Sequence, residues 1–327
     1  MGVKNALLLT GAGFSKNFGG FLASELWGRI FSHPALINFR SSKTWMHDNF
    51  DYESVYYRVL KSETLSAEEK TAITEAVLHT YNVQENIFAA WSDKSGPPCP
   101  INVEVFQREF LAPFAGDEKD KGFIFTLNQD MLMERYASIQ PSLHVVGVEN
   151  DPAWFTDRFT GIKAQDIPTI KLNLPTGAAF KLADCKPFSY VKIHGSINFR
   201  SAQTNQLVIG EQKDNFMQEP FMTASTKLFE EVISQPERRL LVAGYGFNDL
   251  TLNVILAQAI TKASLKLYIL STMPPKDLKN TIINSGSGKM VWNGVNGYFQ
   301  NSLQELFPPN QEKSLAWDTI RKAVIDG

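Results

Sequence analysis

Thiols are nearly missing from this chain: Cys99 and Cys185 are the only two cysteines in 327 residues, and they lie far apart. Without a C-x-x-C pair there is no zinc ribbon, and at most one disulfide can form. No secretory segment places the chain in an oxidising compartment. Long apolar runs are missing too. The stretch at residues 6–9 (ALLL) is too short for a signal-peptide core and stops at Gly11, and nothing approaches the roughly 20 apolar residues that span a bilayer. These absences make a cytoplasmic protein the expectation. A charge excess is absent as well. Lys plus Arg (32) nearly balance Asp plus Glu (34), for a formal charge of −2, and no long basic run occurs. Neither direct nucleic-acid binding nor membrane binding is therefore expected. No cluster with metal-ligand spacing appears, so no metal is expected. Internal repeats and low-complexity segments are lacking.

What is present is ordinary for a globular protein: 43% hydrophobic and 20% charged residues. The length suits one large α/β domain over residues 1–327. Residues 5–13 (NALLLTGAG) read as a buried strand entering a glycine turn, and Leu22, Leu26, Trp27 and Ile30 recur at helical spacing behind it. From about residue 34 to 114 the pattern becomes helical, through DYESVYYRVL, residues 67–91 and NVEVFQREFLAPF, which predicts a helical insertion. Strands are then expected in residues 122–130 (GFIFTLNQD) and 189–196 (SYVKIHGS), each ending in polar residues, in 238–249 (RRLLVAGYGFND), running into glycines, and at 265–271 (LKLYILS) and 289–294 (KMVWNG). Helices are expected at MLMERYA, LTLNVILAQAI and AWDTIRKAV. Residues 140–187 read as loops and short hairpins. The whole predicts a Rossmann-like, mainly parallel sheet of six or seven strands with helices on both faces.

Four strands end in unusual residues, and the carboxyl ends of parallel strands share one crevice. Gly11, Ala12, Gly13, Phe14 and Ser15 form a turn that suits close approach to a pyrophosphate, or merely a tight strand-to-helix connection. Position 16 is Lys16, so the G-x-G-x-x-G pattern is not met, and no acidic residue ends a second strand; both disfavour a hydride-transfer dehydrogenase. Thr126-Leu127-Asn128-Gln129-Asp130 offers an amide and a carboxylate for ribose hydroxyls or a water, or else a helix cap. His194, before Gly195 and Ser196, suits a general base, or a core histidine bonded to its neighbours. Gly244-Tyr245-Gly246-Phe247-Asn248-Asp249 can approach a nucleotide, or can be a turn whose Asn248 or Asp249 caps the next helix.

In their order, these motifs resemble the sirtuin superfamily. Its members carry GAG-x-S after the first strand, Asn-x-Asp after a later one, and then His-Gly. The forms TLNQD, KIHGS and GYGFND look most like the NAD-hydrolysing sirtuin-like domains of bacterial antiviral defence. The resemblance runs from about Val3 to residues 303–306. Two features depart from the deacylating sirtuins: residues 17–21 read NFGGF in place of Pro-Asp-Phe-Arg, and the four-cysteine zinc module is missing.

The resemblance implies NAD as substrate, cleaved between nicotinamide and ribose to nicotinamide and ADP-ribose, with linear and cyclic products both open. It implies catalytic roles for Asn128 and His194, with Asp130 bracing them. The NAD-binding residues would be Gly11, Ala12, Gly13, Phe14, Ser15 and Thr126 together with Gly244, Tyr245, Gly246 and Asp249. A protein deacylase and a non-catalytic NAD or ADP-ribose sensor are the alternatives. The defence resemblance further implies abortive infection by NAD depletion, a homo-oligomer, and a sensing partner such as an ATPase or an Argonaute-like protein.

Overall fold

The computed structural model describes residues 2–92, 96–148, 161–172, 179–200, 207–209 and 220–327. Strands β1 (Gly2–Val3) and β2 (Ala6–Thr10) lead into helix α1 (Ala12–Lys16). Helices α2 (Ala23–Phe31), α3 (Arg40–Asp48), α4 (Tyr52–Lys61), α5 (Ala67–Ala90) and α6 (Val103–Val105) precede β3 (Asp120–Thr126). Then come α7 (Leu132–Tyr136), β4 (His144–Val145), β5 (Ile170–Lys171), β6 (Phe188–Lys192), β7 (Gly195–Arg200) and β8 (Leu207–Ile209). The chain continues through α8 (Pro220–Ile233), β9 (Arg239–Ala243), α9 (Leu250–Ala263), β10 (Lys266–Leu270), α10 (Pro275–Ile283) and α11 (Gly288–Asn293). It closes with β11 (Val295–Phe299), α12 (Leu303–Leu306) and α13 (Leu315–Arg321).

The main sheet holds eight strands in the order β11-β10-β9-β2-β3-β6-β4, with β1 beside β3, and every pairing in it is parallel. The expected Rossmann-like α/β architecture is thus found, with more strands than foreseen because β1 and β4 have two residues each and leave no periodic signal. Burial alternates along the strands. In β2, Ala6 and Leu8 point to one core while Leu7 and Leu9 point to the other; in β3, Ile124 and the pair Phe123 and Phe125 divide likewise. A strand buried on both faces reads as a continuous apolar run, which is why these strands were legible.

One face is covered by α8 to α11, through Leu228, Phe229, Leu252, Leu256, Leu278 and Val291. The other is packed with aromatics: Phe106 and Phe110 stack at 5.2 Å, and Phe110 lies 5.2 Å from Trp317 of α13. Rings this size bury large apolar areas, each worth about 1.5–3 kcal/mol. A third core joins α2, α3, α4 and α5 through Leu26, Ile30, Met46, Val55, Tyr56 and Val77, and receives Met131 and Ile197 from near the strand ends. This brings the helical layer over the carboxyl edge of the sheet. Asp51 caps α4, its Oδ1 accepting from Glu53 and Ser54 N–H at 3.1 and 3.4 Å, and Ser66 caps α5.

Two expectations need correction. KMVWNG is not a strand: residues 288–293 form α11, which buries Val291, and the strand is the next segment, β11. β11 lies at the edge of the sheet, so its VNGYF needs little apolar character, whereas the helix before it needs an apolar face. The described residues of 140–187 contain no hairpin: β4 pairs with β6 and β5 with β7, both in parallel. The rest of that stretch, 149–160 and 173–178, lies outside the described residues. A second sheet, β5-β7-β8, leaves the main one directly after His194 and was not foreseen.

Candidate active site

β2 pairs with β3 on one side and β9 on the other, so the chain's crossovers diverge to both sides of β2 and open a crevice at its carboxyl end. The two glycine turns meet there. Gly11 N–H donates to Ala243 O at 3.0 Å and Gly13 N–H to Gly244 O at 2.8 Å. A Cβ on Gly11 would stand 2.8 Å from Gly244 O, and one on Gly13 2.9 Å from Gly244 Cα. These glycines are therefore demanded by backbone against backbone, and a side chain there would drive into the second turn before it met a ligand. Two N–H groups that the sequence offered to a pyrophosphate are engaged, while among the described residues Ala12 N–H has no partner. Gly244 has φ of +68°, and its Cβ would lie 2.1 Å from Phe14 N. Gly244→Ala is expected to cost about 1–3 kcal/mol from backbone strain alone and to weaken nucleotide binding. Denaturant melts and calorimetry on the same sample check both; wild-type values in each would show the turns to be separable.

Around this junction lies a cavity of about 580 Å³, within the usual size of small-molecule sites. Its wall takes Gly11, Ala12, Gly13 and Phe14 from the first turn, Asn128 and Gln129 from the end of β3, and His194 from the end of β6. Gly244, Tyr245, Gly246 and Asp249 come from the second turn. Asp51 to Glu53 at the start of α4 face them from the helical layer. The structure thus brings ten of the thirteen expected site residues to one cavity.

The other three, Ser15, Thr126 and Asp130, are buried behind the wall and organise Asn128. Asn128 Nδ2 donates to Gly11 O and to Ser15 Oγ, each at 2.9 Å, which engages both amide protons and leaves Oδ1 as the acceptor. Ser15 Oγ donates to Asp130 Oδ2 at 2.7 Å, and Thr126 Oγ1 accepts from Asn128 N–H at 3.0 Å. Asp130 also accepts from Gln84 Nε2 at 3.2 Å and, through Oδ1, from Leu132 N–H at 3.1 Å. Burial holds its carboxyl above the ordinary range, opposed by Lys192 and by the Ser15 hydroxyl.

Beneath the wall is a buried set of charges. Lys192 Nζ donates to Asp130 O and to Glu134 Oε1, the latter at 2.9 Å, and neither side chain is exposed. Arg135 Nε donates to Glu85 Oε2 at 2.8 Å, and Glu85 Oε1 accepts from Met131 N–H at 2.8 Å. Burial pushes the Glu85 and Glu134 carboxyls up, against the pull of Arg135 and Lys192. β3 and β6 are tied together in this way just below Asn128 and His194.

Residues that the sequence did not single out also belong here. Gln129 Nε2 donates to Glu53 Oε1 at 2.7 Å, while its Oε1 accepts from Tyr81 OH at 2.7 Å. Tyr52 OH lies 2.6 Å from Tyr81 OH and donates to Glu53 Oε1 at 3.1 Å, which closes a ring between α4, α5 and β3. Asn17 Oδ1 accepts from Leu303 N–H at 2.9 Å, linking the first turn to α12. Gln129 stood inside a quoted motif, but nothing in the DYES segment marks Glu53 as its partner. Asp249 lines the cavity, and both its carboxylate oxygens are engaged: its Oδ2 lies 3.1 Å from His194 Nε2, and its Oδ1 accepts from Leu252 N–H at 2.9 Å as the cap of α9. Among the described residues no group of three or more His, Cys, Asp or Glu side chains could hold a metal ion, and no helix is long and apolar enough to cross a membrane.

Two glycine turns, an amide and a histidine thus gather at the strand-end crevice where open parallel α/β sheets bind ligands. The SIR2-like domain model matches residues 122–286, half of the chain. The chain belongs to the SIR2-like domain family. SIR2-like domains use NAD and are typically NAD-dependent enzymes. The match spans Asn128, His194 and the Gly244 turn; the Gly11 turn precedes it and is joined to the site by its contacts with Gly244. Comparison with the curated proteins gives no match.

Proposed function

We propose that this chain is an NAD glycohydrolase, which cleaves the nicotinamide–ribose bond of NAD with water as acceptor. The observation that carries the reading is the placement of Asn128 and His194, from two adjacent strands, on the wall that both glycine turns also line. In this reading the junction of the turns, with Ala12 N–H, would receive the pyrophosphate, and Tyr245 and Gly246 would support the adenosine half. NAD supplies nicotinamide as a leaving group and leaves positive charge on the ribose as the bond breaks. Asn128 Oδ1 orients a ribose hydroxyl or the attacking water, and His194 takes up the proton released. Ser15, Thr126 and Asp130 hold Asn128 in position from behind. No metal takes part in this scheme.

Transfer to an acyl-lysine is less well supported. In place of the deacylase run, Asn17 is engaged with α12, Phe18 is fully buried in the aromatic core, and Phe21 packs into the third core. Phe18 and Phe21 thus fill the interior, and of the three only Asn17 reaches the cavity wall. The defence-like forms of the motifs support a regulated effector that depletes NAD in the cytoplasm of an infected bacterium, as a homo-oligomer under a sensing partner.

The test is to incubate the protein with NAD and quantify nicotinamide and ADP-ribose, with and without an acetyl-lysine peptide. Release without peptide is expected. Release only with peptide would make it a deacylase, and NAD binding with no release would make it a sensor.

A further inference from the structure

We propose that Asp249 is the positioning residue of His194: it fixes the imidazole's orientation and tautomer and stabilises its protonated form, and does not bind the nucleotide. This deepens the NAD reading and rests on it for the kinetic part of its test.

The carboxylate is held from several sides. Oδ1 accepts from Leu252 N–H at the start of the 14-residue helix α9, which leaves Oδ2 at 3.1 Å from His194 Nε2. Asp249 N–H donates to Tyr245 OH at 3.2 Å, and Asn253 Nδ2 donates to Phe247 O at 2.7 Å, which pins the turn that carries Asp249. The helix terminus favours the ionised carboxylate. Asp249 is 5% exposed and His194 8%, so the charge interaction is little screened by water.

The chemistry follows from that geometry. An ionised carboxylate accepts Nε2–H, which places the basic lone pair of the neutral ring on Nδ1. When a hydroxyl of the reacting ribose or water gives its proton to Nδ1, the ring becomes imidazolium. Asp249 stabilises that charge and takes no proton itself. A carboxylate that held ribose hydroxyls would instead affect substrate binding.

Asp249→Asn and Asp249→Ser separate these roles from folding, because Asn and Ser cap helices about as well as Asp. Both should melt close to wild type. Asn presents no charge to His194, and Ser is too short to reach it. We expect kcat for nicotinamide release to fall about 10²-fold in each, at the lower end of what losing a base costs, with KM unchanged. The His194 ring, titrated by NMR without substrate, should lose its proton about 1–3 pH units lower in Asp249→Asn than in wild type. A raised KM with unchanged kcat would return Asp249 to the nucleotide site and overturn the proposal, as would an unchanged His194 titration. If wild-type protein released no nicotinamide, the NAD reading would fail, and the titration alone would decide whether Asp249 governs His194.

Discussion

Replacing His194 or Asn128 with alanine is expected to lower nicotinamide release by about 10²–10⁴-fold, the range associated with loss of a general base. The two variants should differ in stability. His194 lines the cavity, so its removal enlarges that cavity, and it takes the imidazole away from Asp249 Oδ2 at a cost of about 0.5–1.5 kcal/mol. Asn128→Ala loses the bonds to Gly11 O and Ser15 Oγ, at about 0.5–1.5 kcal/mol each. With an unfolding entropy of about 2.1 cal/mol/K per residue, each kcal/mol lowers the melting temperature of a chain of 327 residues by about 1.5 °C. His194→Ala should therefore bind NAD with a near-normal melt and not cleave it. Asn128→Ala should melt a few degrees lower and be equally inactive. Turnover, melting temperature and calorimetric affinity on one preparation check all three quantities. Wild-type turnover by His194→Ala would remove His194 as the base and refute the mechanism.

The parts of the site that were legible in the sequence are those whose chemistry conflicts with their surroundings. Glycines closing an apolar strand, an amide after GFIFT and a histidine after SYVKI each break an apolar pattern where a strand ends, and parallel topology then brings the ends together. Partners supplied by distant segments were illegible. Asp249 and His194 are 55 residues apart, and Gln129 and Glu53 are 76 apart. Each member has a sufficient local reading, as a helix cap in Asp249 and as a first-turn acid in Glu53. The sequence offered capping as an alternative for Asp249, and the residue does cap α9, with one carboxylate oxygen, while the other faces His194.

The fold divides in the same way. Strands buried on both faces announced themselves as apolar runs. The edge strand β11 and the second sheet did not, since an edge position tolerates Asn296 and Gly297 and short strands carry no period. The glycine turns show how one motif can carry two readings. Gly11 and Gly13 suit either close approach of a ligand or a tight strand-to-helix connection, and the atoms nearest their missing Cβ positions belong to Gly244 and Tyr245.

A lysine at the centre of SYVKIHG has to leave the strand, reach water or find a carboxylate, and here it is fully buried against Glu134 and the Asp130 carbonyl. Lys192→Met should remove the only cation bonded to Glu134 among the described residues, and Glu134 Oε2 already has no hydrogen-bond partner there. Breaking one side of a buried pair costs about 3–5 kcal/mol, hence about 4–8 °C in melting temperature at this chain length. The sign of the pH dependence follows from the raised Glu134 carboxyl, which rises further once Lys192 is gone. A native-state pKa above the unfolded value means the stability is held at low pH and lost as pH rises through the native pKa. The deficit of Lys192→Met should therefore be smallest near pH 5 and grow toward pH 8. Adding Glu134→Leu removes the uncompensated charge and should restore most of the melt, short of about 1–3 kcal/mol for the Asp130 carbonyl left without its donor. Turnover should stay low even so, because that carbonyl lies two residues from Asn128 and the lysine two residues from His194. A single variant that melts like wild type at every pH would show that the buried pair does not hold these strand ends. A double variant with full activity would show that Asn128 and His194 are positioned without it.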